Sequence, residues 1–317
     1  MTEAAFPVPA ARVRRPRLGY LMAGSAAVLW GVNGAVSKTI LSTGLSSERL
    51  AQVRSLGAAA GLVAILVVVA PKRLKVTRRE LPYLILFGVV GLAFVQWFYF
   101  LAIHRLAIGV ATLLEYLAPL LVALWARLVY HDPVRRRIWA ALALALLGLA
   151  LIVNLFGGGA SLSSTGIAFG LAAALAYTLY VLLAEHAVGD RDPVSLLAWG
   201  FGFTSVFWAV LVPWWSFPGH VLMRDTSLHG HLDAVHLPVW LLAAWMIVLG
   251  TIIPFFLLVS ALRHLSATRA GIVAMLEPVV GAFVGWIWLA ESLNGTQIVG
   301  AVVALSAIVL AQTARPI

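Results

Sequence analysis

The stretch that decides the fold class is WLLAAWMIVLGTIIPFFLLVSA, residues 240–261, in which no residue carries a charge. A helix rises about 1.5 Å per residue, so this length crosses the roughly 30 Å hydrocarbon core of a bilayer. In lipid the backbone polar groups must be satisfied within the segment, which favours a membrane-spanning helix. The chain is therefore expected to be an integral membrane protein.

Further apolar runs of similar length lie on both sides of this one. The composition agrees, because 62% of the 317 residues are hydrophobic and only 11% are charged, whereas soluble domains carry about 25% charged residues. We predict an all-α membrane protein whose ten spans lie at residues 18–40, 48–70, 81–102, 107–130, 138–155, 166–187, 193–213, 240–261, 267–289 and 296–314.

Lysine and arginine are distributed unevenly between the two sides of these spans. They cluster at residues 12–17, 72–79 and 135–137. Fifteen of the 22 lie on the side that carries both chain termini, and four lie on the other side. Because basic loops stay cytoplasmic, we predict a multi-pass protein of the cell inner (cytoplasmic) membrane with both termini in the cytoplasm. The clusters also account for the net charge of +10, so no nucleic-acid partner is expected.

The two halves of the chain share one order of features. At an offset of 147 residues Trp30 corresponds to Tyr177, and at an offset of 159 residues Pro119 corresponds to Pro278. Five spans per half is an odd number, so the second copy enters the membrane inverted, a plan common among transporters. The predicted organisation is a cytoplasmic amino-terminal tail at 1–17, a first five-helix repeat at 18–155, a linker at 156–165, and a second repeat at 166–314 with an extracytoplasmic loop at 214–239.

Several motifs together resemble a known family. They are Trp30-Gly31 with Asn33, Arg54, Pro119 followed by Asp132, and LEPVVGAFVGWIWLAE at residues 276–291. Over essentially the whole chain they resemble the EamA-type members of the drug/metabolite transporter superfamily. The resemblance implies two inverted five-helix repeats around a central cavity, and movement of metabolites, often export of amino acids or related compounds. It implies no particular substrate. The family usually has glycine where this chain has Ala290.

Two carboxylates lie deep within predicted spans. Glu115 belongs to the fourth span and Glu277 to the ninth. An ionisable group at this depth is costly unless it faces a cavity or a partner. At the 159 offset Glu277 aligns with residue 118, three positions after Glu115 and on the same helix face. We predict that both bind substrate, as sites for an amine or a proton; the alternative is a structural acid that pairs within the bundle.

Other polar and aromatic side chains interrupt the Ala, Leu and Val of the spans, in pairs three residues apart. An aromatic wall with a few hydrogen-bonding groups suits a small organic substrate. Packing between helices with satisfied hydroxyls and amides is the alternative. The residues predicted to bind substrate by this pattern are Trp30, Asn33, Gln96, Tyr99, Tyr177 and Tyr180.

Three residues are predicted to act as a hinge or gate. Pro119 and Pro278 remove a backbone hydrogen bond in mid-span, which bends a helix. The alternative for both is a fixed kink that shapes packing. Arg54 would pair with a buried acid or a carboxylate, or else extend its head group to the nearby membrane surface.

The remaining sequence features restrict the class of function. There is no cysteine, so no disulfide or thiolate metal site can form, and no phosphate-binding Gly-x-x-x-x-Gly-Lys motif occurs. We expect no enzyme activity, metal or cofactor. We predict a secondary transporter or exporter of small organic metabolites that contacts lipid and works by alternating access. The alternatives are a membrane scaffold or sensor and a lipid-modifying enzyme.

Two pairs of glycines four residues apart, Gly57/Gly61 and Gly281/Gly285, fit close contacts between helices. Packing within one bundle is enough to explain them, and they are also compatible with a homodimer.

Overall fold

The computed structural model describes residues 15–131, 133–155 and 163–313, and it confirms the all-α fold with ten long helices. Eight of the helices in this part are long and apolar enough to cross a membrane, and α1 and the 17-residue α5 complete the ten. Asp132, most of the predicted tail at 1–17 and most of the linker at 156–165 lie outside the described residues. The helices are α1 Pro16–Leu41, α2 Ser47–Val69, α3 Leu81–Ile103, α4 Ile108–Leu128, α5 Arg136–Ile152, α6 Ser164–Ala187, α7 Pro193–Leu211, α8 Val239–Ala261, α9 Ala267–Ile287 and α10 Gly295–Thr313.

Turn residues set the helix starts that the sequence indicated. The Asp192 carboxylate accepts a hydrogen bond from the Ser195 backbone N–H (3.0 Å), and Pro193 is the first residue of α7. Before α10, Asn294 Oδ1 accepts from the Gln297 N–H (2.9 Å) while Gln297 Oε1 accepts from the Asn294 N–H (3.0 Å). This reciprocal capping satisfies backbone groups that a helix end leaves unpaired.

The helices of one repeat pack mainly on helices of the other. In the first repeat α1 packs on α8 and α9, and in the second repeat α6 packs on α3 and α4. The pairs α2–α7 and α5–α10 also join the two repeats. Glycines allow the closest approaches; a methyl group on Gly148 of α5 would lie 2.7 Å from the Gly300 carbonyl oxygen of α10. The repeats therefore form one bundle, and the space between them lies at its centre.

Departures from regular α-helix recur in both repeats at the 159 offset. Helix α3 contains a π-helical segment at Leu86–Ala93, and α8 contains one at Val248–Ile252. Helix α4 is interrupted between Glu115 and Ala118, and α9 is interrupted at Met275, the counterpart of residue 116. Shared irregularities of this kind support the duplication more strongly than the sparse sequence identities do.

The ends of α4 and α9 show the same correspondence. His131 and Ala290 are 159 residues apart, and both have a positive φ, 56° and 57°. This left-handed region favours glycine, because a Cβ crowds the following carbonyl there. The positive φ of Ala290 therefore explains why glycine suits this position in the chain.

Ala290→Gly is expected to stabilise the protein. The substitution relieves backbone strain of about 1 kcal/mol and loses part of that gain to the greater freedom of the unfolded chain. The midpoint of thermal unfolding in detergent should rise by a few degrees. Ala304→Gly, in the buried middle of α10, is the control and should lower the midpoint. A lower midpoint for Ala290→Gly would contradict the assigned conformation.

Successive helix connections lie on alternate faces of the bundle. We call the face with the α2–α3, α4–α5, α6–α7 and α8–α9 connections the basic face, and the opposite face the loop face. On the loop face the segment between α7 and α8 is folded, with an antiparallel hairpin of β1 Asp225–Ser227 and β2 His236–Pro238. Its Val221 and Leu228 are buried in an apolar cluster with residues of α1, α2 and α8. Packing against these helix ends therefore fixes the longest connection.

On the basic face, ion pairs fix the corresponding connection between α2 and α3. Arg73 pairs with Asp192 at 3.2 Å, and Arg191 pairs with Glu80 at 3.3 Å. The Thr77 backbone N–H donates to the Glu80 carboxylate (2.8 Å), and this bond, together with the charge of Arg191, holds the pKa of Glu80 below its ordinary value. Glu80 therefore stays charged at neutral pH and available to Arg191.

Candidate functional site

A cavity of about 620 Å³ lies between the two repeats. All eight residues predicted to bind substrate line it, and two of the three predicted hinge or gate residues, Arg54 and Pro278, line it as well. The third, Pro119, is buried against the Gly271 backbone and is absent from the cavity wall. The lining residues at issue are Trp30, Asn33, Arg54, Gln96, Tyr99, Glu115, Tyr177, Tyr180, Glu277 and Pro278.

The break in α9 presents Glu277 to this cavity. Glu277 lies in the first turn of the second half of α9, Leu276–Ile287. Its Oε2 accepts a hydrogen bond from the Tyr116 hydroxyl (2.7 Å), and Tyr116 lies at the corresponding break in α4. A charge-assisted hydrogen bond of this length orients the carboxylate firmly. This side-chain hydrogen bond therefore joins the two interrupted helices at their breaks.

Glu115 is the second carboxylate of the cavity and is held differently. It is the last residue of the first half of α4, Ile108–Glu115, and it lines the cavity. Among the hydrogen bonds and salt bridges of the described residues, none involves Glu115. Its carboxylate is therefore available to a ligand.

Arg54 brings a positive charge to the same cavity. Its guanidinium carbon lies 5.7 Å from the centre of the Phe255 ring, a cation–π distance. It makes no salt bridge within 4 Å in the described part of the chain, and its Nε is buried without a hydrogen-bond partner there. A guanidinium with free donors binds carboxylates well.

Aromatic rings form one side of the cavity around Phe255 of α8. The Trp30 ring lies 5.1 Å from it at 78°, and the Tyr180 ring lies 5.8 Å from it at 66°, both edge-to-face. Tyr177 stacks on Tyr180 at 6.0 Å. Such packing holds the rings in fixed positions and leaves an apolar surface for a ligand.

Four buried polar atoms on the cavity wall lack a hydrogen-bond partner within the described residues. A buried polar atom without a partner is costly, and in native proteins such atoms usually meet water or a ligand. Acceptors and donors are both represented among these atoms. The atoms are Asn33 Oδ1, Arg54 Nε, Gln96 Oε1 and Tyr180 Oη.

Phe255 and Tyr116 are among the cavity residues that the sequence analysis did not predict. Phe255 lies 159 residues after Gln96, so the repeat offset would have indicated it. Tyr116 adjoins Glu115, but its counterpart is Met275, so the offset gives no signal for it. The bond from Tyr116 to Glu277 depends on the way the two helix breaks face each other, which the sequence does not show.

The cavity opens towards the loop face. The part of the cavity wall nearest that face comes from the start of α4, the end of α5 and the connection before α10. It includes Ile108, Val153 and Glu291. Glu291 forms a salt bridge with Lys38 at the end of α1. Both side chains are largely exposed, so this pair adds little stability.

The opposite end of the cavity is closed by the first half of α9. There the Glu185 carboxylate at the end of α6 accepts a hydrogen bond from the Ala267 N–H (2.8 Å) at the start of α9. Ala267 is only 2% exposed, whereas Ile108, its counterpart in α4, is 65% exposed. The bundle is thus open on one face and closed on the other.

Two histidines of the loop-face connection, His229 and His231, join it to the ends of α1 and α9. His229 Nε2 lies 2.9 Å from the Ser42 hydroxyl, and His231 Nδ1 lies 2.9 Å from the Ile287 carbonyl oxygen. In the described residues no group of three or more His, Asp or Glu side chains is placed to hold a metal ion.

A duplicated helix bundle with a polar cavity between its repeats defines the class of membrane transporters. The chain belongs to the EamA-like transporter family, whose model matches residues 17–154 and again residues 164–313. It is accordingly a multi-pass protein of the inner membrane.

Similar proteins include transporters with and without a stated substrate. The uncharacterized inner membrane transporter YicL of Salmonella typhimurium is 26% identical over 299 residues, 93% of this chain and 95% of its own. The threonine/homoserine exporter RhtA of Escherichia coli K12 is 26% identical over 256 residues, 80% and 79% of the two chains. A crystal structure of another protein has a TM-score of 0.70 at 17% identity, covering 92% of this chain and 96% of the other, and shows that the fold is shared.

Proposed function

We propose that this protein is a secondary transporter that exports small organic metabolites, amino acids or related compounds, across the cytoplasmic membrane. The observation that carries the proposal is the cavity itself. It combines two carboxylates, a guanidinium that makes no salt bridge among the described residues, and an aromatic wall within about 620 Å³. That volume lies within the range of small-molecule sites, roughly 300–1,000 Å³.

The charges of the cavity favour a zwitterion as substrate. Glu115 and Glu277 suit an ammonium group, and Arg54 suits a carboxylate. The relative RhtA carries the name of a threonine/homoserine exporter, which agrees with this chemistry. The aromatic rings would contact the rest of the substrate.

Transport into proteoliposomes tests the proposal directly. Purified protein would be offered the standard L-amino acids and L-homoserine, together with the matching amines and hydroxy acids that lack one of the two charges. We expect at least one amino acid to enter faster than its amine and hydroxy acid. Uptake no faster than in empty liposomes for every compound would refute an amino-acid substrate.

The orientation of the protein follows from its basic face, which we place in the cytoplasm with both termini. Reporter fusions at Lys75 and Arg136 should read cytoplasmic, and a fusion at Asp225 should read periplasmic. The reverse pattern would overturn this topology. In the predicted orientation the cavity opens to the periplasm.

The differences between matching helix halves support alternating access. The second half of α9 lines the cavity with Pro278 and Gly281, whereas their counterparts in α4, Pro119 and Val122, are buried. We infer that the transport cycle exchanges these environments. In the cytoplasm-open form Val122 would line the cavity, and Ala267 would be exposed as Ile108 is here.

Single-cysteine variants test this exchange. The chain has no cysteine of its own, so the introduced thiol is the one that reacts with the label. A membrane-impermeant maleimide should label Gly281→Cys from the periplasmic side and Thr268→Cys from the cytoplasmic side. Labelling of Thr268→Cys depends on the second conformation, because Thr268 is buried here. If it stayed unlabelled in inside-out vesicles under transport conditions, the exchange would be excluded.

The source of energy is tested by a pH gradient. If a cavity carboxylate carries a proton during transport, uptake of the transported amino acid should change when a gradient is imposed on the liposomes. An unchanged rate would identify a facilitator.

A further inference from the structure

Asn33 and Tyr180 occupy matching places in the two repeats. They are 147 residues apart, the offset that relates α1 to α6. Asn33 is 7% exposed and Tyr180 is 3% exposed, yet both line the cavity. Asn33 Oδ1 and Tyr180 Oη are both without a hydrogen-bond partner in the described residues.

Each of these side chains lies against a glycine of the opposite repeat. Asn33 lies against Gly250 of α8, and Tyr180 lies against Gly91 of α3. Gly91 and Gly250 are 159 residues apart, so the two contacts also correspond. Both glycines belong to the π-helical segments. Short π-helical segments inside α-helices occur frequently at functional sites.

The contact at Gly250 leaves no room for a side chain. A methyl group there would lie 2.1 Å from Asn33 Oδ1, 2.5 Å from Cγ and 3.2 Å from Cβ. The contact at Gly91 is looser, because a methyl group would lie 3.2 Å from Tyr180 Cα and 3.5 Å from Cβ. The amide of Asn33 is therefore held in place by the bare backbone of Gly250.

We propose that Gly250, and more weakly Gly91, are positioning residues that determine substrate selectivity. The absence of a side chain at Gly250 lets the Asn33 amide pack directly against α8, and the absence of one at Gly91 lets Tyr180 Cα and Cβ pack against α3. The two glycines thereby set where these side chains lie in the cavity wall. The proposal rests on the transport function proposed above. It adds that the π-helical glycines, of which Gly91 itself lines the cavity, set where the polar groups of the substrate bind.

A double-mutant cycle of Gly250→Ala and Asn33→Ala tests this role. Gly250→Ala should displace the amide, reduce uptake of the best amino acid of the panel about tenfold or more, and change its rank order among the others. Asn33→Ala should lower uptake too, and in that background Gly250→Ala should have little further effect. Additive losses in the double variant would refute the positioning role.

Measuring the yield of folded protein for each variant distinguishes a positioning role of Gly250 from a general loss of stability in Gly250→Ala. Asn33→Ala removes the Oδ1 and Cγ atoms that the new methyl group would meet, so the double variant should recover the stability lost by Gly250→Ala without recovering transport. Gly91→Ala should have the same kind of effect but smaller. Gly24→Ala is the matched control, because no atom lies within 4 Å of its added methyl group.

A labelling measurement keeps the inference testable without a substrate. Asn33→Cys would be treated with a small methanethiosulfonate reagent, with and without Gly250→Ala. We expect Gly250→Ala to change the labelling rate several-fold and Gly24→Ala to leave it unchanged. Equal rates in all three would overturn the inference. A wild type that transports nothing, with labelling rates that differ, would instead count against the proposed function alone.

Discussion

Glu277→Gln is expected to reduce transport by roughly 10- to 150-fold while the folded yield stays close to that of the wild type. The carboxylate lines the cavity and is oriented by the Tyr116 hydroxyl at 2.7 Å. Hydrogen bonds to charged groups contribute about 1.5–3 kcal/mol, which corresponds to the stated range when the charge binds substrate. Glutamine keeps the shape and can still accept the bond from Tyr116, so the fold should tolerate the change.

Initial rates of uptake in proteoliposomes and the yield of monodisperse protein are the two measurements. Glu115→Gln should show a similar loss, because Glu115 faces the same cavity and makes no hydrogen bond or salt bridge in the described part of the chain. Tyr116→Phe should show a smaller loss, since the charge remains. Glu48→Gln, in the first turn of α2, is the control for the loss of a carboxylate elsewhere. Equal losses of yield and transport for Glu277→Gln would indicate that the residue is structural.

Gly148→Val is expected to abolish the folded protein. Its first side-chain atom would lie 2.6 Å from the Ala304 nitrogen, 2.7 Å from the Gly300 oxygen and 2.9 Å from Ala304 Cα. All three are backbone atoms, so relief requires α5 and α10 to separate. Overpacking of a core typically costs 1–3 kcal/mol where side chains can adjust, and a backbone clash at a helix crossing exceeds that.

The midpoint of thermal unfolding and the recovery from detergent measure this effect. Gly148→Ala should already lower both, and Gly300→Ala should do the same from the other side of the contact. Gly202→Ala in α7 is the control, because nothing lies within 4 Å of its added methyl group. Normal recovery of Gly148→Val would contradict the close crossing of α5 and α10.

The helices were predictable because lipid constrains a chain so strongly. A run such as 240–261 can satisfy its backbone only as a helix, so apolar length located the spans to within a few residues. Asp192 with Pro193, and Asn294, marked helix starts by local hydrogen bonding, which depends on neighbouring residues alone. The fold class needed no information from distant contacts.

The cavity lining was predictable for a similar reason. Trp30, Asn33, Glu115 and Glu277 stand out because lipid excludes polar groups from spans unless an interior place exists for them. Whether these residues bind substrate stays a prediction, as do the repeat boundaries at 155 and 166.

What the sequence did not show depends on the packing of distant segments. The π-helical segments follow no local pattern. The helix breaks at Tyr116 and Met275 do, because each lies three residues before a proline, Pro119 or Pro278, which lacks the backbone N–H that would continue the helix.

The two glycine pairs that the sequence indicated differ in what they contact. Gly57 and Gly61 do pack against Ile247 and Ile252 of α8, but Gly281 faces the cavity. Close backbone crossings instead use Gly148 with Gly300 and Gly88 with Gly200. Which glycine meets which neighbour is decided only when the repeats assemble.

The two connections that follow α2 and α7 are anchored by different forces, although they occupy corresponding places. On the loop face, Val221 and Leu228 attach the chain by burial, which salt strengthens slightly or leaves unchanged. On the basic face, Arg73, Arg191 and their carboxylate partners attach it by charge, which dissolved ions screen. The connection after α2 should therefore respond to ionic strength more strongly than the connection after α7. In the orientation proposed above, the ionic strength of the cytoplasm would act on the ion-paired connection, whereas the medium outside would have less effect on the connection anchored by burial.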